Sequence, residues 1–109
     1  MPPVTRATLA DAAEAELLAA AEWYEAQCPG LGVEFTAAVL EAAEIVATAP
    51  RAWPTWPGMS GQTPPVRRFV MDRFPYTLGF QIFDDRIEIV AVAHAHRRPG
   101  YWQRRSRPR

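Results

Sequence analysis

The sequence has no lysine, a single cysteine and no apolar run long enough to cross a bilayer. Each shortage excludes something. With Cys28 alone, no internal disulfide can form, so the fold must be held by its core, and the usage suits a reducing compartment. Cys28 itself is expected as a small core residue. A membrane-spanning helix needs about 20 predominantly apolar residues, and the alanine-rich stretch after Leu17 is broken by Glu22 and Glu25. The opening MPPVTRATLADAAE has no basic segment followed by an apolar one, so it does not read as a secretory signal. These features predict a cytoplasmic protein with no membrane contact.

What is present is one compact domain. A chain of 109 residues, 49% of them hydrophobic, can bury roughly 65% of its unfolded surface and is too apolar for disorder. The formal net charge of zero hides a segregation. Residues 1–50 carry eight acids against Arg6, a net of −7; residues 51–109 carry eleven arginines against Asp72, Asp84, Asp85 and Glu88, a net of +7. An all-arginine complement fits a GC-rich genome as readily as a need for bidentate grip on phosphate or carboxylate. The segregation carries more: the second half is expected to present a positive surface to nucleic acid or to an acidic partner segment.

Periodicity divides the chain. After a short strand near Val4–Leu9 (the segment 1–9), residues 10–49 read as a helical hairpin. Asp11 followed by Glu14 resembles a capping box, and Leu17, Ala21, Tyr24 and Cys28 fall on one helical face. Pro29-Gly30 ends that helix. A second apolar stripe runs through Leu31, Phe35, Ala38, Val39, Ala42, Ile45, Val46 and Ala49, with Glu34, Glu41 and Glu44 outside it. Residues 50–65 hold five prolines with Gly58 and Gly61, a density no regular element survives. Trp53 and Trp56 in this loop could stack nucleic-acid bases, although loop aromatics more commonly lie on a core edge. Residues 66–97 predict an antiparallel meander, and 98–109 a basic tail. In YTLGFQIF, Tyr76, Leu78, Phe80 and Ile82 alternate with smaller or polar residues; Asp84-Asp85 makes a turn. In the return strand RIEIVAVAHAH, Ile87, Ile89, Ala91, Ala93 and Ala95 share one face, expected beneath the helices. Glu88, Val90, Val92, His94 and His96 share the other. The fold class is α+β in the order β-α-α-β-β-β, with the hairpin packed on a small, mainly antiparallel sheet.

His94 and His96 therefore point to the same side of one strand. Arg67 and Arg73 can share a face of the first meander strand, with Arg68 on the other; if the faces coincide, imidazoles and guanidiniums line one concave surface. A histidine at a strand end is more commonly an ordinary surface residue, but two on one face beside Arg97 and Arg98 suggest more. The H-x-H pair lacks a third ligand at persuasive spacing, so neither a metal nor any other cofactor is expected.

The stretch AEAELLAAAEWYEAQCPGLGVEF, followed by VRRFVMDRFPYTLGFQIFDDRIEIVAVAHAHRRPGYW, resembles the RelE/ParE superfamily of type II toxin–antitoxin toxins over residues 8–103. The ordered set carries the likeness: an arginine pair, FPY, an acidic turn and a strand ending in H-x-H-R-R. The resemblance implies a growth-inhibiting toxin neutralised by a cognate antitoxin. Members of the superfamily divide into inhibitors of DNA gyrase and ribosome-dependent endoribonucleases that cut mRNA. A nuclease would use His94 or His96 as acid or base, Arg67, Arg73 and Arg97 as cations, and Tyr101 as proton donor or stacking ring. It would lack a clear glutamate base, for which Asp72 is a weak substitute. A binding inhibitor would need only a basic surface, for which Arg67, Arg68, Arg97, Arg98 and Trp102 are the candidates for target or antitoxin contact. The helical hairpin with FPY and HRRPGYW stands closer to the ParE-like and plasmid-stabilisation members.

Overall fold

The computed structural model describes residues 6–84 and 86–95. Strand β1 (Arg6–Leu9) leads into helices α1 (Asp11–Gln27) and α2 (Leu31–Thr48), and a 3-10 turn at Pro50–Ala52 opens the loop. Strands β2 (Val66–Val70), β3 (Tyr76–Ile82) and β4 (Arg86–His94) follow. The sheet order is β1-β4-β3-β2, with β1 parallel to β4 and the other pairs antiparallel. This is the α+β order the sequence predicts. Residues 1–5, Asp85 and 96–109 lie outside the described residues, including the predicted basic tail.

The two helices meet through a tight connection whose chemistry is local. Gly30 takes a left-handed conformation, φ 91°, at the start of α2, where a side chain would be strained. The Glu25 carboxylate reaches from α1 and accepts the N–H groups of Gly30 and Gly32 at 2.8 and 2.9 Å, satisfying donors that every helix start leaves open. Gly32 is also a point of closest approach: a Cβ there would stand 2.4 Å from the Ala21 carbonyl oxygen. By contrast, α1 has no capping box. Ala10 is its N-cap and makes no side-chain bond, so Asp11 and Glu14 lie inside the first turn and help only through the field of the helix terminus. Cys28 is exposed, not buried, because α1 ends at Gln27 and the chain turns away there. Ile45 and Ala49, the outlying members of the α2 stripe, are exposed as well.

The hairpin packs on one face of the sheet. Phe35, Val39 and Val46 of α2 and Leu17 of α1 meet Leu78, Phe80, Ile87 and Ile89, all at most 5% exposed. A ring cluster closes one end: Phe35 lies 5.1, 5.1 and 4.9 Å from Tyr24, Phe74 and Tyr76 between ring centroids. The sequence expectation for β4 fails halfway along it. Gly79 pairs with Ala91 but Phe80 pairs with Ile89, so Val90 is an extra, bulged residue. A one-residue bulge reverses the alternation beyond it. Ile87 and Ile89 face the helices as expected, but from there on Val92 and His94 do so, opposite Leu78 and Tyr76. Ala91 and Ala93 turn to the other face, and Ala95 falls beyond the strand.

That other face has its own small core. Trp56 and Met59 from the proline-rich loop lie on Val66, Val90, Ala91 and Ala93. The buried Gln81 side chain ties the loop down by donating to the Pro64 carbonyl at 2.8 Å. The loop also covers the outer edge of β2: Trp56 N–H donates to Val66 at 2.8 Å, and Arg68 N–H donates to Pro54 at 2.9 Å. An edge so paired is protected from accidental strand addition.

Candidate functional site

The candidate residues that are described do not converge. His94 ends β4 and stands across from Tyr76, with ring centroids 5.1 Å apart and planes at 88°. It lines a shallow groove of about 270 Å³ against α1, together with Glu16, Trp23, Tyr76 and Val92. Glu16 accepts the Val92 N–H at 3.0 Å, which fastens α1 to the end of β4. Burial raises the Tyr76 phenol above its ordinary pKa, and neighbouring Tyr24 and Glu16 push the same way. The Tyr24 phenol is raised by burial alone. At neutral pH both phenols therefore keep their protons.

Arg67 does share the hairpin-side face with His94, because it opposes Phe80 as His94 opposes Tyr76. Yet Phe80 and Tyr76 are four residues apart on β3, about 13 Å along the strand, and β2 is two strand spacings of about 4.8 Å from β4. The Arg67 guanidinium is also committed: it donates to the Trp53 carbonyl at 2.7 Å. Trp53 in turn packs edge-on against Phe69, centroids 4.7 Å apart. Trp53 and Trp56 are thus core-edge residues on opposite faces of the sheet, not a stacking platform. Arg68 lies on the loop side of β2, as expected from its parity.

Arg73 sits elsewhere again, in the connection between β2 and β3. It pairs with Glu34 of α2 on the surface and lies 5.0 Å from the Phe74 ring centroid. Its groove, about 370 Å³ between α2 and β2, is rimmed by Glu34, Glu41 and Asp72. The expected concave surface lined jointly by Arg67, Arg73 and His94 is therefore not formed: one cation is tied to a loop carbonyl and another to a helix carboxylate. His96, Arg97, Arg98, Tyr101 and Trp102 lie outside the described residues. Sequence reasoning missed Glu16, Trp23 and Glu34 as neighbours of the candidate residues. Nothing in local sequence ties them to residues about 40 to 80 positions away. Among the described residues no cluster of three or more His, Cys, Asp or Glu could hold a metal ion, and no helix is long and apolar enough to cross a membrane.

The family model described as the ParE toxin of the type II toxin–antitoxin system parDE matches residues 8–99. The chain belongs to this family. Among solved structures, the toxin is similar to a chain of the chromosomal ParDE toxin–antitoxin system from P. aeruginosa. The TM-score is 0.70 and the identity 17%, over 85% of this chain and 98% of that one. At that identity the likeness speaks for the fold. No curated protein matches the sequence. A ParE-type toxin is one member of a toxin–antitoxin pair, so its cognate partner is an antitoxin protein.

Proposed function

We propose that this toxin arrests growth by binding DNA gyrase without cutting RNA, acting in the cytoplasm until its antitoxin engages it. The observation that carries this reading is the dispersal of the described candidate groups. Cleavage of RNA through the 2′-hydroxyl needs a base, an acid and cations around one phosphate, held to within a fraction of an ångström. Here His94 lies against α1, Arg67 is bound to Trp53 and Arg73 to Glu34. A binding inhibitor makes no such demand; it needs a surface of fixed shape and charge. Family membership supports the same direction, since gyrase is the target associated with ParE-like members.

The test is a double variant, His94→Gln with His96→Gln, which removes acid–base function while keeping polarity. The expected result is a protein that still blocks growth and still inhibits gyrase supercoiling in a purified assay. Reversing charge at Arg97 and Arg98 should abolish both effects. A nuclease would instead lose about 10²–10⁴-fold with its general acid or base. Cleaved mRNA ends on translating ribosomes, present with the wild type and absent with the double-glutamine variant, would overturn the proposal.

A further inference from the structure

The hairpin has a second surface, on its outer side and away from the sheet. There α1 and α2 enclose a shallow groove of about 510 Å³, to which α1 contributes Ala21, Glu22 and Glu25 and α2 contributes Val33, Ala37 and Leu40. Val33 is 72% exposed, Leu40 50%, and Leu18, one turn before Glu22, 60%. Large apolar side chains exposed in one patch mark a contact surface. Its charge is of one sign, since residues 10–50 contain eight carboxylates and no cation. Glu25 is engaged by the N–H groups of Gly30 and Gly32. Glu22, on the rim, has no hydrogen-bond or ion-pair partner among the described residues.

The cations that answer this surface belong to the same chain. Of the net +7 carried by residues 51–109, residues 96–109 hold +6: six arginines, no acid, and with them the aromatic pair Tyr101-Trp102. That segment starts close by. The described residues end at Ala95, whose N–H donates to Pro75, and His94 before it lies against Ala19, Ala20 and Trp23 of α1. These are the same two turns of α1 that present Ala21, Glu22 and Glu25 to the outer groove. A helix with its side chains is about 10–12 Å across, so the way round its exposed side is about 16–19 Å. The seven steps from Ala95 to Trp102 span up to about 23 Å, and Pro99-Gly100 supplies a bend. Trp102 therefore reaches the groove, and Arg104 and Arg105 follow it towards Glu22.

Other occupants meet obstacles. Nucleic acid would bring phosphates against Glu22. A second copy docking by the same face would set carboxylates against carboxylates, since a two-fold interface is self-complementary. A segment of another protein would have to displace a tail whose tether gives it an effective concentration on the order of millimolar.

We infer that residues 96–109 cross α1 in cis as a strap, seating Trp102 between Val33, Ala37 and Leu40 and setting Arg104 and Arg105 against Glu22. The inference is independent of the toxin's target. It resolves the charge segregation within one molecule: the acidic hairpin and the basic tail are each other's partner, and Arg97 and Arg98 are carried over α1 at the crossing.

The test uses the isotope-labelled full-length toxin and the indole N–H signals of its four tryptophans. Trp102→Phe identifies the Trp102 signal by its loss. In the wild type that signal should stand away from the position of a solvent-exposed indole. It should return there in Leu40→Arg, which fills the groove and repels the arginines. Ile45→Arg, the same charge change on α2 but outside the groove, should leave it in place. Trypsin cleavage at Arg104 and Arg105, followed by intact mass, should be about 10-fold or more slower in the wild type than in Leu40→Arg, because cleavage tracks the released fraction. Added salt should shrink this protection. Unmoved Trp53 and Trp56 signals establish that each variant is folded. A Trp102 signal at the solvent-exposed position in the wild type, or equal cleavage of the wild type and Leu40→Arg, would overturn the inference. Release of Trp102 by Ile45→Arg as complete as by Leu40→Arg would overturn the placement in this groove. Protection that disappears on dilution would overturn the contact in cis, by showing the tail of a second copy.

Discussion

Replacing Phe35 by alanine tests the placement of the hairpin directly. Phe35 is fully buried, and its ring touches Tyr24 from α1, Phe74 from the β2–β3 connection and Tyr76 from β3. It is therefore the point at which both helices and the sheet meet. A buried aromatic side chain removes about 150–250 Å² from water, which at about 25 cal/mol per Å² corresponds to roughly 4–6 kcal/mol for the whole side chain. Alanine keeps the Cβ, and measured truncations of this type cost about 3–5 kcal/mol. The three ring contacts place Phe35 toward the upper end, about 4–5 kcal/mol, since aromatic pairs add to simple burial. Against a total stability of about 5–15 kcal/mol for a domain, that is roughly a quarter or more. At about 4 °C per kcal/mol, the melting midpoint should fall by roughly 15–20 °C. Urea melts followed by tryptophan fluorescence and far-UV circular dichroism would measure the change. A loss below about 1 kcal/mol, with an unchanged slope in denaturant, would refute the packing described.

Gly32→Ala sets two effects against each other. Alanine favours a helix interior by about 1 kcal/mol over glycine, but its Cβ would stand 2.4 Å from the Ala21 carbonyl and 3.0 Å from the Glu25 Cβ. Because the first of these neighbours is backbone, the helices must move apart, and a net loss of about 1–2 kcal/mol is expected in thermal melts; a stabilised variant would show that the helices are not so close. The phenols predict an alkaline limit. Tyr76 and Tyr24 titrate higher in the folded state than in the unfolded chain, so the unfolded chain loses these protons first as pH rises. Their contribution is complete below pH about 10 and is lost as pH climbs through the raised folded values. Tyr76→Phe should flatten the fall in stability above that pH, and an alkaline slope identical to the wild type would refute the assignment.

Most of the architecture was legible because it is written in neighbouring residues. Leu17, Phe35, Val39 and Val46 recur at helical spacing and do face the core. Tyr76, Leu78, Phe80 and Ile82 alternate, and all four face the hairpin. The Pro29-Gly30 break and the proline density of residues 50–65 mark where regular structure stops. The candidate site was much less legible. His94 and Arg67 were correctly read as strand residues, but their partners Glu16, Tyr76 and Trp53 come from other elements. Cys28 sits on the right helical phase yet one residue past the helix end, where phase no longer predicts burial.

The sequence by itself determined the element types, their order, the two helical faces and membership of a toxin superfamily, because each is a periodic or ordered pattern along one stretch of chain. Tertiary structure alone decided which way β4 faces after Ile89. The bulge at Val90 exists only in relation to β3, where one residue of the partner has two opposite it, and no pattern within β4 records that count. That single offset turned Ala91 and Ala93 toward the tryptophan loop and brought His94 against α1. In the same way, a net charge of +7 over residues 51–109 belongs to a segment, whereas a groove takes its sign from whichever elements happen to line it. Packing α2 against β2 set Glu34 and Glu41 of the acidic half beside Asp72 and Arg73 of the basic half, so a groove with one wall from the basic segment is nonetheless acidic.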